Sequence, residues 1–286
     1  MSCQHPRMGV FIGSEALAAG QVTRSELRRH HRRLFPDVYG PDNPTLLDRA
    51  RAAWLWSGRR GVIAGVAASG LLGARWVPED SAIEMLWRNT HPPTGVIVRN
   101  ETYARDEITT FGGVPVTTRA RTLFDLGRHL RRDDAVARMD ALLWTWRVTV
   151  DDIAPLIARY PACRGIRPLR TALALADGGA DSPRETWLRL LLTDAGMPPE
   201  DTQIEVFAGT RMVAKVDMGW RSLKIAVQYD GRHHQTERGQ YVRDRRIQHE
   251  LQALGWIVLR VIAEDSADEI IAGVAAALAR RRQRAA

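Results

Sequence analysis

The alternation of apolar and polar residues predicts two adjoining β-strands within residues 212–234, MVAKVDMGWRSLKIAVQYDGRHH. Successive side chains of a strand point to opposite faces, so Lys215 and Asp217 share one face of the first strand. By the same rule, Gln228 and Asp230 share one face of the second strand. If these two faces meet, the oxygen atoms of Asp217, Gln228 and Asp230 converge, and oxygen ligands suit a hard divalent cation.

The elements around this hairpin follow from the periodicity of the apolar residues. A helix is predicted to begin after Ser182, an N-cap that is followed by Pro183 and by Glu185 at the third helical position, which together make a capping box. The other predicted elements are a strand before the hairpin and then a helix, a strand and a helix after it, at 203–207, 240–254, 256–262 and 266–279. The C-terminal part is therefore expected to fold as α-β-β-β-α-β-α around a small mixed sheet.

The first forty residues predict a helix-turn-helix. One helix is expected from Ser14 to Ala19, and a second begins at Thr23, because T-R-S-E places an N-cap three residues before a glutamate. The segment 32–40, RRLFPDVYG, would form a small hairpin wing. Such a winged helix places its second helix in a DNA groove, and the arginines expected to contact phosphates or base edges are Arg24, Arg28, Arg29 and Arg32. The alternative is a pair of amphipathic helices with a solvated basic face.

The region between residues 41 and 178 has a mixed pattern. Helices are predicted at 45–58, 62–72, 119–130, 133–146, 151–158 and 166–176. Strands are predicted at 83–87, 95–100 and 112–118. Three aspartates of this region are expected to be solvated or to cap helices: Asp125, Asp133 and Asp134. The pattern predicts three domains. Residues 1–60 would bind DNA, residues 61–178 would serve as a scaffold or as an interaction domain for a protein partner, and residues 181–286 would form the third domain.

Composition narrows the choice of partners. The chain has 41 lysines and arginines against 33 acidic residues, and its net charge of +8 favours a polyanion such as DNA. A GC-rich genome would also enrich a protein in arginine. The two cysteines, Cys3 and Cys163, are too few for a zinc cluster or a disulfide framework. The sequence has neither an apolar signal-peptide core nor an uncharged apolar run of 18 residues, so it predicts a cytoplasmic protein without a membrane partner.

Five strings make residues 181–280 resemble the restriction-endonuclease-like PD-(D/E)XK superfamily, and within it the very-short-patch-repair-type endonucleases: SPRETWLRLLL, VDMGW, AVQYDGRHH, YVRDRR and LQALGWIVLRV. The resemblance implies a restriction-endonuclease-like α/β domain with a bound Mg²⁺ or Mn²⁺. It makes Asp217 the first metal-binding aspartate and gives the acid-X-acid positions to Gln228 and Asp230. It further implies a helix glutamate, a histidine that assists the nucleophile or the leaving group, and two phosphate-facing arginines, at Glu185, His234, Arg243 and Arg246.

The sequence departs from this family at Gln228, where a glutamate is usual. A unit charge about 4 Å from another is worth about 4 kcal/mol at an effective dielectric of about 20, so one missing carboxylate weakens the binding of a divalent ion. Lys215 is either a phosphate contact or a solvated strand residue. The resemblance thus predicts an endonuclease that hydrolyses DNA phosphodiester bonds with Mg²⁺ if it is active, and it leaves an RNA substrate open.

The N-terminal part resembles a different family. The basic winged helix, the Ala-rich helices, the strands of 83–118 and the helix TTRARTLFDL occur in the order typical of the AbiEi-type antitoxins and transcriptional regulators, over residues 8–145. This resemblance implies DNA binding by the first sixty residues and autoregulation at an operator. The alternative to the endonuclease is therefore a non-enzymatic AbiEi-like regulator with a degenerate nuclease fold.

Overall fold

The chain forms two compact units. The computed structural model describes residues 9–89, 91–146, 148–230 and 238–285. The N-terminal unit consists of Met1–Leu130 and Thr145–Leu173, and the C-terminal unit of Arg131–Trp144 and Ala174–Ala286. Both units combine helices with strands, which confirms the predicted α/β class. Residues 131–144, which the sequence pattern assigns to the middle domain, cluster with the C-terminal unit. Within the described ranges, every helix is too short or too polar to cross a bilayer.

The N-terminal unit begins with two short helices and a hairpin: β1 (Phe11–Ile12), α1 (Gly13–Ala18), α2 (Arg24–His30), β2 (Arg32–Phe35) and β3 (Val38–Gly40). The strands form an antiparallel sheet in the order β1-β3-β2. Thr23 caps α2 reciprocally, because its Oγ1 accepts from the N–H of Glu26 at 3.2 Å while Glu26 Oε2 accepts from the N–H of Thr23 at 2.7 Å. The predicted helices and hairpin are confirmed.

The remainder of this unit surrounds a five-stranded sheet of order β6-β5-β4-β8-β7. Its strands are β4 (Val62–Ala64), β5 (Ile83–Leu86), β6 (Val96–Arg99), β7 (Ile108–Phe111) and β8 (Val114–Thr117). Its helices are α3 (Leu46–Trp56), α4 (Gly65–Leu71), α5 (Arg119–His129) and α7 (Ala154–Arg159), and α8 (Ile166–Leu175) ends in the C-terminal unit. The prediction of a helix from residue 62 is wrong for its first three residues, because they pair with β5 and β8 in the centre of the sheet.

One hydrophobic core joins the hairpin to this sheet. Phe35 and Val38 of the hairpin pack with Ala50 of α3, Ile63 of β4 and Val116 of β8. The domain boundary predicted at residue 60 falls inside this core.

Helix α5 carries charged residues into the interior. Asp125 is 1 % exposed, and both of its oxygens lie 3.0 Å from Arg121 Nε. Arg128 donates to Asp125 at 3.1 Å, and Arg121 also pairs with Glu107. The expectation that Asp125 is solvated or caps a helix is therefore wrong, because its arginine partners allow it to be buried. Asp133 and Asp134 are exposed, as expected.

The C-terminal unit has the predicted element order. Helix α6 (Arg132–Trp146) begins in it, followed by α9 (Pro183–Asp194), β9 (Asp201–Ala208), β10 (Arg211–Trp220), β11 (Ile225–Tyr229), α10 (Arg238–Ala253), β12 (Ile257–Val261) and α11 (Ala267–Ala285). The sheet order is β12-β11-β10-β9, and only the β11–β12 pair is parallel among these strands. The expected α-β-β-β-α-β-α arrangement around a mixed sheet is confirmed.

Helices cover both faces of this sheet. On one face Leu188 of α9 and Val274 of α11 share a core with Val227. On the other face Leu251 of α10 shares a core with Val216 and Ala226. Two separate cores therefore fix the positions of β10 and β11.

A buried ion pair joins α6 to α9. Asp140 is fully buried, and its Oδ2 accepts from Arg189 Nη2 and from Thr186 Oγ1, both at 2.8 Å. Its Oδ1 accepts from the N–H of Asp177 at 2.7 Å. Residues of α6 thereby hold the helix that carries Glu185.

The variant Asp140→Ala is expected to lower the free energy of unfolding of the C-terminal unit by about 3–5 kcal/mol, because Arg189 would remain buried without its carboxylate. Urea unfolding followed by circular dichroism measures this loss. The matched control is Asp133→Ala on the same helix, where an exposed ion pair with Arg132 is worth about 1 kcal/mol or less. Equal losses in the two variants would show that the buried pair has no special role.

Candidate functional site

Asp217 lies where the regular alternation of β10 breaks. Residues two positions apart in a strand normally share a face, but Val216 packs in the core beneath α10 while Met218 packs in the core beneath α9 and α11. Gln203 of β9 lies opposite Asp217, because its two neighbours pair with Val216 and Met218. Gln203 has a φ of 51°, in the left-handed region. The local backbone, and not strict alternation, therefore sets the direction of the Asp217 side chain.

The carboxylate of Asp217 is held at the end of β11, where its Oδ2 accepts from the N–H of Tyr229 at 2.7 Å. Burial and the negative charge of Glu185 raise the pKa of Asp217 to about 7, with a smaller contribution from Asp181. The Tyr229 hydrogen bond and the charge of Lys215 act in the opposite direction. Asp217 and Glu185 thus form a half-buried pair of like charges.

Glu185 has its predicted role in the cap of α9. Its N–H donates to Ser182 Oγ at 3.2 Å, and its Oε1 accepts from that hydroxyl at 2.9 Å, which makes it part of the α9 cap. Its Oε2 accepts from the N–H of Asp181 at 2.8 Å and from Gln203 Nε2 at 3.0 Å. Burial raises the pKa of Glu185, and these hydrogen bonds offset part of the rise. The cap and Gln203 together therefore hold the Glu185 carboxylate.

The other predicted metal ligands lie on β11 and directly after it. Met218 pairs with Val227, which puts Gln228 next to Asp217 across the two strands. Asp230 lies near a different partner, since Arg260 Nη1 is 3.8 Å from its Oδ2. The structure couples Asp217 electrostatically to Glu185, whereas Asp230 forms an ion pair with Arg260.

The predicted basic positions are exposed. Lys215 Nζ is 3.9 Å from Asp181 Oδ2, beside the carboxylate pair. On α10, Arg243 and Arg246 are exposed at a spacing of one helical turn. In the N-terminal unit the four predicted arginines of α2 and β2 are exposed as well: Arg24, Arg28, Arg29 and Arg32. His234 lies outside the described residues.

Within the described part of the chain, no group of three or more histidine, cysteine, aspartate or glutamate side chains has the arrangement of a metal site. The carboxylates at the site are the pair Asp217 and Glu185, with Asp181 close by. Asp217 Oδ1 has no hydrogen-bond partner among the described residues. Within the described part of the chain, one carboxylate oxygen at the site is therefore available to a ligand.

Two residues of the site were missed by the sequence interpretation. Asp181 precedes the α9 cap, and its N–H takes the place on Glu185 that a capping box gives to the N-cap residue. The local pattern D-S-P-R-E could have indicated this contact. Gln203 gave no signal, because its contact with Glu185 depends on how β9 meets α9.

No known protein-family model matches the chain. It is similar to two uncharacterized proteins of Mycobacterium tuberculosis, one from strain CDC 1551 and one from strain H37Rv. Each is 29% identical over 235 residues, which cover 82% of this chain and 86% of the relative. The aligned length exceeds either compact unit, so the similarity includes parts of both.

The raised pKa of Asp217 predicts a pH-dependent loss of stability. The unfolded chain releases this proton near pH 3.8, whereas the folded chain keeps it until about pH 7, so the free energy of unfolding falls between these values and levels off above them. Asp217→Asn keeps an acceptor for Tyr229 but cannot ionise. With EDTA present, it is expected to be more stable than the wild type at pH 8, by about 4 kcal/mol at most, and similar to it at pH 4.

Denaturant unfolding at pH 4, 6 and 8 measures the difference. Glu205→Gln is the control, because Glu205 is an exposed carboxylate on β9. Parallel pH profiles for the wild type and Asp217→Asn would contradict the raised pKa of Asp217.

Proposed function

We propose that the chain is a DNA-binding protein whose C-terminal unit is a metal-dependent endonuclease of the restriction-endonuclease-like type. The observation that carries this proposal is the half-buried pair of Asp217 and Glu185, with a free oxygen on Asp217, in a unit with the element order α-β-β-β-α-β-α. Two like charges held close together are costly in a half-buried position, and a divalent cation relieves that cost.

The donors of this site fit Mg²⁺ or Mn²⁺. The Oδ1 of Asp217 and a remaining lone pair of Glu185 are carboxylate oxygens, and Gln228, next to Asp217 in the strand register, would add a neutral carbonyl. Mg²⁺ uses one or two carboxylates and completes its shell with water and substrate phosphate. When bound, the cation would neutralise phosphate charge and lower the pKa of the attacking water.

The other residues contribute position and charge. Asp217 is oriented by Tyr229, and Glu185 by the α9 cap, so neither carboxylate has to be ordered when DNA binds. Lys215 stands beside the pair and would contact the scissile phosphate as a compact positive charge. Arg243 and Arg246 would contact neighbouring phosphates from α10. The assignment of His234 as an assisting group remains a prediction from the family resemblance.

A second candidate function is a non-enzymatic regulator of AbiEi type. Two observations favour it: Gln228 is neutral at a position where the nuclease family has a glutamate, and Asp230 Oδ2 lies 3.8 Å from Arg260 Nη1. A site with fewer negative charges binds a divalent ion more weakly. In this case the C-terminal unit would hold DNA or a partner protein without cutting DNA.

In both candidates the N-terminal unit binds duplex DNA. Helix α2 is capped at Thr23 and presents arginines to solvent, and β2 continues the basic surface with Arg32 and Arg33. A helix beside a hairpin is the arrangement with which winged helices contact a groove and its flanking phosphates. The net charge of +8 is consistent with such a partner.

The nuclease proposal predicts weak cleavage of supercoiled plasmid DNA in Mn²⁺. Asp217→Asn is expected to abolish cleavage, Gln228→Glu to increase it by restoring a carboxylate, and Glu205→Gln to leave it unchanged. Gel electrophoresis of the nicked and linear products measures the rates. Cleavage that persists in Asp217→Asn would contradict the site. An inactive wild type together with an active Gln228→Glu variant would favour the regulator.

The DNA-binding proposal predicts a change in salt dependence. Replacing Arg28 and Arg29 together by alanine is expected to weaken duplex binding and to reduce the slope of log affinity against log salt by about 2, since each lost phosphate contact removes about 0.9. Fluorescence anisotropy at several salt concentrations measures this slope. The control replaces Arg167 and Arg170, two exposed arginines of α8. An equal effect of the two pairs would indicate unspecific attraction instead of a defined surface.

A further inference from the structure

Gln203 combines an unusual backbone with a contact to the candidate site. Five described residues other than glycine have a positive φ, and Gln203 is the one among them that lies within a strand. In the left-handed region, Cβ crowds the following carbonyl oxygen, so residues other than glycine and asparagine rarely adopt it. Conformations of this kind persist where the surrounding structure enforces them, and they cluster at functional sites.

The side chain of Gln203 explains why glutamine occupies this position. Its Nε2 donates to Glu185 Oε2 at 3.0 Å. The other hydrogen bonds to the Glu185 carboxylate come from Asp181 and Ser182, which belong to the start of its own helix. Among the described residues, Gln203 is therefore the one that ties Glu185 to the sheet. A glycine would fit the backbone better, but it has no amide to make this contact.

The strand register places the contact between Gln203 and Glu185 close to Asp217. The neighbours of Gln203 pair with Val216 and Met218, so Gln203 lies across from Asp217 on the adjacent strand. Without the Gln203 amide, nothing in the described contacts would hold Glu185 at β9. Its carboxylate could then turn away from Asp217 and towards solvent, since two negative charges repel each other.

We propose that Gln203 is a positioning residue, whose amide holds the Glu185 carboxylate beside Asp217 so that the two together receive a divalent cation. The proposal rests on the metal-dependent function proposed above. Groups that orient metal ligands without touching the metal typically change its affinity by about 10- to 100-fold when they are removed.

The test is Mn²⁺ binding by the full chain, measured by electron paramagnetic resonance with and without a short DNA duplex. Gln203→Gly and Gln203→Asn both suit a left-handed backbone, but neither reaches Glu185. Each is expected to weaken Mn²⁺ binding at least about 10-fold, while the thermal unfolding midpoint stays the same or rises. A merely structural role would not separate metal affinity from stability in this way.

Two further variants make every outcome decisive. Lys224→Gly relaxes another positive φ of the same unit, at 50°, without touching Glu185, and it is expected to leave Mn²⁺ binding unchanged. Asp217→Asn should abolish binding. If Asp217→Asn abolishes binding while both Gln203 variants bind as the wild type does, Gln203 has no positioning role and the metal site stands. If the wild type binds no better than Asp217→Asn, the proposed metal-dependent function fails, and the role of Gln203 fails with it.

Discussion

Two carboxylates held close together in a half-buried position are the constraint that the C-terminal unit is built around. Asp217 and Glu185 come from a strand and a helix, and burial together with the negative charge of Glu185 raises the pKa of Asp217. Such a pair persists because other groups oppose the repulsion. The N–H of Tyr229 fixes Asp217, and the α9 cap together with Gln203 fixes Glu185.

The supports of this pair reach well beyond the two strands. Asp140 of α6 holds α9 through Arg189 and Thr186, so a segment far upstream in the sequence contributes to the position of Glu185. The two cores on opposite faces of the sheet hold β10, one through Val216 and the other through Met218. Because adjacent parts of one strand belong to different cores, the strand is distorted where Asp217 lies. An energetically costly backbone and a costly charge pair occur at the same place, as is common at sites that bind ligands.

The arginines of the N-terminal unit occur in two different environments. Its arginines divide into an exposed set on α2 and β2 and a buried set on α5. Arg121 and Arg128 are paired with carboxylates in the interior, so they hold the fold together and are not free for DNA. The number of arginines in the sequence is therefore larger than the number exposed on a surface that could bind nucleic acid. The exposed arginines beside the hairpin are the ones that bear on the proposed function.

Local patterns in the sequence were sufficient for the α/β class, for the element order of the C-terminal unit and for the capped helices at Thr23 and Ser182, because caps and periodicity depend on residues a few positions apart. They also singled out Asp217, since an aspartate inside a strand is uncommon. The family resemblance added Glu185. Only the tertiary structure revealed Gln203, because its contact with Glu185 depends on how β9 pairs with β10 and meets α9. Likewise, nothing local distinguishes the buried Asp125 from the exposed Asp133. Burial and ion pairing depend on contacts between distant segments, and the period of a single helix or strand does not contain them.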